Sequence, residues 1–384
     1  MKEDKAIQYP RIHLAVDNCF AIKRWVEPAE WMRKVREIGD IRYIQASTDN
    51  EIDPSHNTQA FRDEWVAEVK KYEQELGLKV ASFYSGYATY RTVGIASLSK
   101  SKRRAMIEKY FKPTVDVAAS LGAQVGNTLS AYSDTVLQNP EMFRLTTDYI
   151  ENSLAGMSAY ANRKGVTFSY EQMYTPTQGM WTIDGCISCM RNVYAHTRNP
   201  MYITIDTAHQ AGQLLFLRPA PDEVHKMVQA GEPGACRLPA QVKKAIRDRQ
   251  RPELIEELLD RYSYWFAQPR DADLFEWLGI LGAYSPVIHL QQTDGTYSSH
   301  KPFTTKYNAA GIVKPKDVFA AIARSYERPT PEGLPPQVTD IYLAFELFFG
   351  ITESADNIIS DMRESVAWWR EYIPRDGMTV EKLI

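Results

Sequence analysis

Cysteine is scarce in this sequence, with four in 384 residues. A small secreted scaffold stapled by disulfides is therefore excluded, and a reduced cytoplasm is the expected compartment. Long hydrophobic runs are missing as well. The longest candidates are short stretches such as 214–217, far below the roughly 18 apolar residues of a membrane-spanning helix. The N-terminal MKEDKAIQYPRIHL carries charges where a signal peptide has its apolar core, so no membrane partner and a cytoplasmic location are expected. Charge of one sign is lacking too: 45 basic against 48 acidic side chains leave a net charge of −3. That balance exerts no global pull toward nucleic acid. Two basic clusters do not change this reading. KSKRR (100–104) falls at an expected helix start, and KKAIRDRQR (243–251) runs straight into Glu253, Glu256 and Glu257 as a mixed solvated face. Phosphate-cradling GxGxxG and GxxxxGK[ST] runs are absent, as are the hydrolase signatures GxSxG and HExxH. A lone CxxC, Cys186 to Cys189, has no second pair to build a zinc ribbon and lies inside an expected helix, as two buried small residues.

What is present is a repeat of short β-rich runs, each followed by an amphipathic helical stretch. The runs are 11–17, 41–47, 79–85, 124–128, 166–172, 201–206, 287–293 and 340–348. Helical patterns follow near 28–38, 58–76, 102–121, 140–163, 183–196, 316–326 and 356–372, with a long irregular region after the sixth run. Alternating strands and helices imply a parallel sheet with helical crossovers, and eight units is the count that closes a barrel. The expected fold is an α/β (β/α)8 TIM barrel, a single domain over 1–384. Spacing locates the surplus length. Glu171 and Asp206 end successive runs 35 residues apart, whereas His289 lies 83 residues after Asp206. With about 31 residues per unit of a ~250-residue barrel, a helical insertion is expected between strands 6 and 7, at about 213–272.

In such barrels the site forms at the C-terminal ends of the strands. Strand five ends at Glu171, strand six at Asp206, strand seven contains His289 and strand eight contains Glu346. Successive strand residues face opposite sides of the sheet. By that parity Asp206 shares a face with Thr204, His289 with Gln291, Glu346 with Ala344 and Glu171 with Ser169, while the opposite faces carry Ile, Leu, Phe and Tyr. All four ligand-type residues thus fall on the smaller, more polar, interior face. Three carboxylates converging on one mouth repel one another unless a cation sits among them. Three carboxylates and one imidazole form a hard, mostly oxygen set suited to one divalent ion, Mn²⁺ or Mg²⁺ first, with Co²⁺ or Zn²⁺ possible.

Glu–Asp–His–Glu on strands five to eight resembles the xylose isomerase-like sugar-phosphate isomerase/epimerase superfamily, and Asp206–His209 (DTAH) resembles its DxxH motif. NCFAIKRW (18–25), HLQQTDG (289–295) and SHKPF (299–303) are similar to the branch acting on tetrulose phosphates in erythritol-type catabolism. The resemblance implies a metal-dependent isomerase or ketose 3-epimerase of carbohydrate metabolism that works through an enediolate. It implies that Glu171 and Glu346 are metal ligands and also the acid/base pair, with Asp206 and His289 completing the metal set. His209, Gln291 and Asp294 are candidates for substrate hydroxyls. Lys23, Arg24, His300 and Lys306 are candidates to reach a phosphate from flanking loops. The expected partner is a small sugar or sugar phosphate, and the expected assembly a homo-oligomer, dimer or tetramer, with the Trp-, Tyr- and Leu-rich insertion covering the mouth or making that contact. The same superfamily includes the trinuclear zinc enzyme endonuclease IV. That chemistry needs more histidines, and strand ends 45–48, 84–85 and 127–128 contain none. The alternatives are decarboxylation of a 3-oxo sugar acid, which passes through the same stabilised intermediate, and a non-catalytic binding barrel.

Overall fold

A computed structural model describes residues 7–86, 89 and 92–384; the first six residues of the expected domain lie outside this description. Eight parallel strands run β1 (Arg11–Asp17), β2 (Tyr43–Ser47), β3 (Lys79–Ser85), β4 (Gln124–Asn127), β5 (Phe168–Glu171), β6 (Tyr202–Asp206), β7 (Val287–Leu290) and β8 (Asp340–Phe345). Each pairs with the next, and β8 pairs with β1, so the sheet closes. Only Ala15 to Asp17 of β1 pair with β2. A short antiparallel strand β9 (Met378–Thr379) covers Arg11 and Ile12 below that point.

The closure follows from the alternation in the strands. Leu14, Val16, Ile203, Ile205, Ile288, Leu343 and Phe345 face the helices and are fully buried. Inside, the residues are small or polar. Ser169 Oγ and Thr204 Oγ1 lie 2.8 Å apart across the β5–β6 pair, and Ala15, Val287 and Ala344 form their own cluster beside Tyr43 and Tyr342.

Around the sheet stand α1 (Pro28–Ile38), α2 (Gln59–Leu76), α3 (Lys112–Leu121), α4 (Pro140–Arg163), α5 (Ile183–Thr197), α6 (Leu274–Leu281), α7 (Pro315–Glu327) and α8 (Ala355–Arg370). Their ends carry clear punctuation. Thr58, Asn139, Thr182 and Ser354 cap N-termini with their side chains, and Gly77 and Gly122 close C-termini at positive φ. The stretch expected as one helix over 102–121 is broken instead. A helix Lys100–Met106 passes through a π turn at Ile107–Phe111 into α3, because Pro113 has no N–H to continue the i−4 ladder. The CxxC cysteines are buried in α5 and unpaired.

Between β6 and β7 lie three short helices, Pro221–Ala230, Ala240–Arg247 and Pro252–Arg261, packed on one another ahead of α6. The aromatic residues just after the third of these helices are covered by the chain itself. Tyr264 stacks on Phe143 of α4 with ring centroids 3.8 Å apart, and its hydroxyl donates to Leu137 O at 2.7 Å. Tyr262 OH donates to Gln138 O at 3.0 Å. Among the described residues no helix is long and apolar enough to cross a membrane.

Candidate active site

The four strand ends converge. Glu171, Asp206, His289 and Glu346 each offer a ligand atom within 4.8 Å of the others, so that they could hold a metal ion. Their exposures are only 3, 0, 0 and 5%. Glu171 and Asp206 are the last residues of β5 and β6, and His289 is the third of β7. Glu346 stands one residue past β8, its N–H donating to Leu290 O at 3.1 Å. His289 turns Nδ1 to the carboxylates, 2.8 Å from Glu171 Oε1 and 3.4 Å from Glu346 Oε2.

Electrostatics register the crowding. Burial, reinforced by the charges of Glu171, Asp206 and Asp17 and only partly offset by His289, pushes the Glu346 carboxyl well above the usual range. For His289, burial acts downward, but the surrounding Glu346, Glu171 and Asp206 raise the imidazole to about 10. Burial also opposes ionisation of Asp206, yet His209, His300, His289 and the Gln291 amide hold it below its ordinary value. The Glu346 and His289 shifts both mark a buried site short of positive charge. A divalent ion would supply that charge, and this mainly oxygen donor set fits a hard cation.

Above the cluster opens a cavity of about 390 Å³, lined by Glu171, Glu346, His209, His300, Tyr84, Gly86, Thr128, Met173, Tyr174 and Phe348. His209 follows Asp206 in a tight turn, in which Asp206 Oδ1 accepts from Ala208 N and His209 N at 2.7 and 3.2 Å. Its Nδ1 sits 2.8 Å from Gln172 O, leaving Nε2 4.0 Å from Asp206. His300 adopts a positive φ of 48° and lies against Phe348, with Nδ1 3.1 Å from Glu346 O.

The remaining candidates are placed elsewhere. Gln291 donates to both oxygens of Asp206 at 2.9 and 2.8 Å and accepts from His300 N at 2.5 Å, so its amide ties the metal-type cluster to the 298–300 segment. Asp294 and Lys306 line a separate cavity of about 160 Å³ with Lys301 and Tyr307. Asp294 accepts from Thr296, and Lys306 lies over the Tyr307 ring. Arg24 donates to Gly350 O and Glu353 O, pinning the loop before α8. Lys23 is exposed at a positive φ of 64°. Three residues without an assigned role in the sequence reading also sit at the cluster. Tyr84 donates its hydroxyl to Glu171, and Gln45 and Asp17 stand behind His289. Asp17 ends β1, Tyr84 is the second-last residue of β3 and Gln45 the middle one of β2, so the strand-end signal that picked out the other four applies to Asp17 and not to Gln45.

A family model described as a xylose isomerase-like TIM barrel matches residues 32–249, more than half of the chain. The chain belongs to that family. Within the xylose isomerase-like barrels, a D-erythrulose 1-phosphate 3-epimerase from Brucella abortus (strain 2308) is 32% identical over 108 residues. That match covers 28% of this chain and spans 31% of the relative's length. The crystal structure of a putative xylose isomerase from Rhodospirillum rubrum superposes with a TM-score of 0.69 at 20% identity, covering 94% of this chain and 99% of that one. A D-psicose 3-epimerase from Clostridium cellulolyticum H10, solved with D-tagatose, gives 0.55 at 10% identity, covering 94% and 98%. At these identities the two structures establish the shared fold.

Proposed function

We propose that the protein is a divalent-metal-dependent sugar or sugar-phosphate isomerase or 3-epimerase. The observation that carries this reading is the convergence of Glu171, Asp206, His289 and Glu346 beneath an open cavity. These four residues would hold the ion, Mn²⁺ or Mg²⁺. When bound, it supplies Lewis-acid polarisation of a ketose carbonyl and its neighbouring hydroxyl. Glu171 and Glu346 serve as the acid/base pair. One carboxylate takes the proton from the carbon between carbonyl and hydroxyl, and the other returns it to the opposite face or to the adjacent carbon. Tyr84, hydrogen-bonded to Glu171, fixes that carboxylate's orientation. His209 and His300, on the cavity wall, bind and orient substrate oxygens. Gln291 holds Asp206 and the His300 loop in place. None of Asp294, Lys306, Lys23 and Arg24 lines this cavity; their proposed part is to bind the distal end of the substrate, phosphate included. The small-molecule partner is a ketose or its phosphate, in keeping with the name of the Brucella relative.

The test is incubation with Mn²⁺ and a panel of ketoses, ketose phosphates and 3-oxo sugar acids in deuterated water. Deuterium uptake into a ketose or its phosphate is expected. Release of CO₂ from the oxo acids, without exchange into ketoses, would make the protein a decarboxylase instead. Glu171→Gln and Glu346→Gln are each expected to lower exchange by at least about 10²-fold, the scale of general acid–base catalysis. Exchange at the wild-type rate in either variant would refute the acid/base assignment.

A further inference from the structure

Gln45 occupies a position with two alternative hydrogen-bond states. One atom of its side-chain amide touches two partners at once, lying 2.6 Å from Asp17 Oδ2 and 2.9 Å from His289 Nε2. The other amide atom faces Ser82 Oγ at 3.2 Å. All four residues are 0–2% exposed, so no solvent competes for these contacts. With the amide nitrogen toward His289, Gln45 donates both its protons, one to the Asp17 carboxylate and one to the lone pair on Nε2. The His289 proton then sits on Nδ1 and points at Glu171 Oε1.

That arrangement is incompatible with a cation at the carboxylates, because Nδ1 is the ring nitrogen that faces them. With Nδ1 engaged as a ligand, the neutral ring carries its proton on Nε2, and Nε2–H needs an acceptor. Gln45 is the side chain in place to provide one. A half-turn of its amide exchanges nitrogen for oxygen. Oε1 then accepts from His289 Nε2–H and from Asp17 in its protonated form, while the NH₂ group donates to Ser82 Oγ.

We propose that Gln45 is the positioning residue of the metal centre: its amide, backed by Asp17 and Ser82, sets which nitrogen of His289 carries the proton and so frees Nδ1 for the ion. The inference rests on the metal-binding reading above. No atom of Gln45 belongs to the four-residue metal set or to the residues lining the cavity. The residue therefore acts through His289.

Mn²⁺ affinity of the metal-stripped protein, measured by calorimetry for the wild type, Gln45→Leu and Gln45→Glu, tests this. Gln45→Leu removes the acceptor and is expected to weaken Mn²⁺ binding about 10–100-fold, the range for lost outer-shell partners of metal-ligating histidines. Gln45→Glu keeps an oxygen toward His289 and should bind within about threefold of the wild type. A role in packing alone predicts the reverse order, since Leu is the milder replacement in a buried site. Wild-type affinity in Gln45→Leu, or equal loss in both variants, overturns the proposal. A measurement on the unaltered protein stands beside this: ¹⁵N chemical shifts of His289 with Zn²⁺ bound should show Nε2 protonated, and a proton-free Nε2 overturns the assignment. If the wild type binds neither ion, the metal reading itself fails and takes this inference with it. That outcome is distinct from one in which the wild type binds and Gln45→Leu binds equally well.

Discussion

At the end of the barrel opposite the carboxylate cluster, Asp340 accepts from Arg11 Nε and Nη2, both at 2.7 Å, and lies 2.8 Å from His13 Nε2. Burial opposes its ionisation, but these partners and Thr339 outweigh it and hold the carboxyl at about 2, against an ordinary 3.8. Because the folded value is the lower one, the unfolded chain binds more protons between these pH values. The stabilisation is therefore fully present above about pH 4 and disappears as pH falls toward 2. Denaturant midpoints of wild type and Asp340→Asn should differ at pH 6 and converge between pH 4 and pH 2. A constant gap across that window would show that the carboxylate's charge is not what Arg11 and His13 recognise. The same residue-level logic explains what was readable at the mouth. Parity and strand order singled out Glu171, Asp206, His289 and Glu346 because acids and an imidazole on four successive strands are conspicuous, whereas Asp17 at the end of β1 is followed by no such residue on β2. Gln45 and Tyr84 stand on the same face, but an amide and a phenol are ordinary interior residues. Their meaning comes from contacts made across the barrel, from β2 to β7 and from β3 to β5.

At the scale of single elements, β4 shows how interior volume is rationed. Gly126 faces inward, and a Cβ there would come within 3.2 Å of both Ser169 Oγ and Tyr84 Cδ2. Its missing side chain makes room for the Tyr84 ring that reaches Glu171. Gly126→Val is expected to cost about 1–3 kcal/mol in urea unfolding, as overpacking of a filled interior does. Gly126→Ala should cost less, because the Ser169 hydroxyl can turn away. No measurable loss in the valine variant would mean that the β4 interior has slack. The eight strands and most helices were legible because their alternation and caps are local signals. Boundaries were less so. The eighth strand stops at Phe345 rather than continuing to 348, β7 ends at Leu290 rather than 293, and ends of β2, β4, β5 and β6 move inward by one or two residues. The π turn at Ile107–Phe111 escaped a reading that counted Pro113 as just another helix residue.

For the molecule as a whole, the helices after β6 and the carboxylate cluster pose one question: what compensates each liability. The aromatic residues just after Pro252–Arg261 pack on the β4–α4 segment. A double-mutant cycle on Phe143→Ala and Tyr264→Ala should show a coupling of about 0.5–1.5 kcal/mol, the range for stacked aromatic pairs. Zero coupling would mean that the insertion packs on the barrel without leaning on this contact. The carboxylates have no such internal answer. Among the described residues no lysine or arginine pairs with Glu171, Asp206 or Glu346, whose partners are imidazoles, hydroxyls and amides. A net charge of only −3 therefore conceals a local excess of negative charge that burial makes expensive. A ligand that binds the folded chain and not the unfolded one stabilises it by mass action, by about 2.7 kcal/mol at a hundredfold excess over Kd. Chemical unfolding in Mn²⁺ at that excess should accordingly exceed unfolding in chelator by about that amount. Asp206→Asn, which removes one ligand from the centre of the set, should abolish most of the increment while still folding. Identical midpoints with Mn²⁺ and with chelator would mean that the barrel tolerates its buried acids by protonation alone, and the cation would lose its place in both the fold and the reaction.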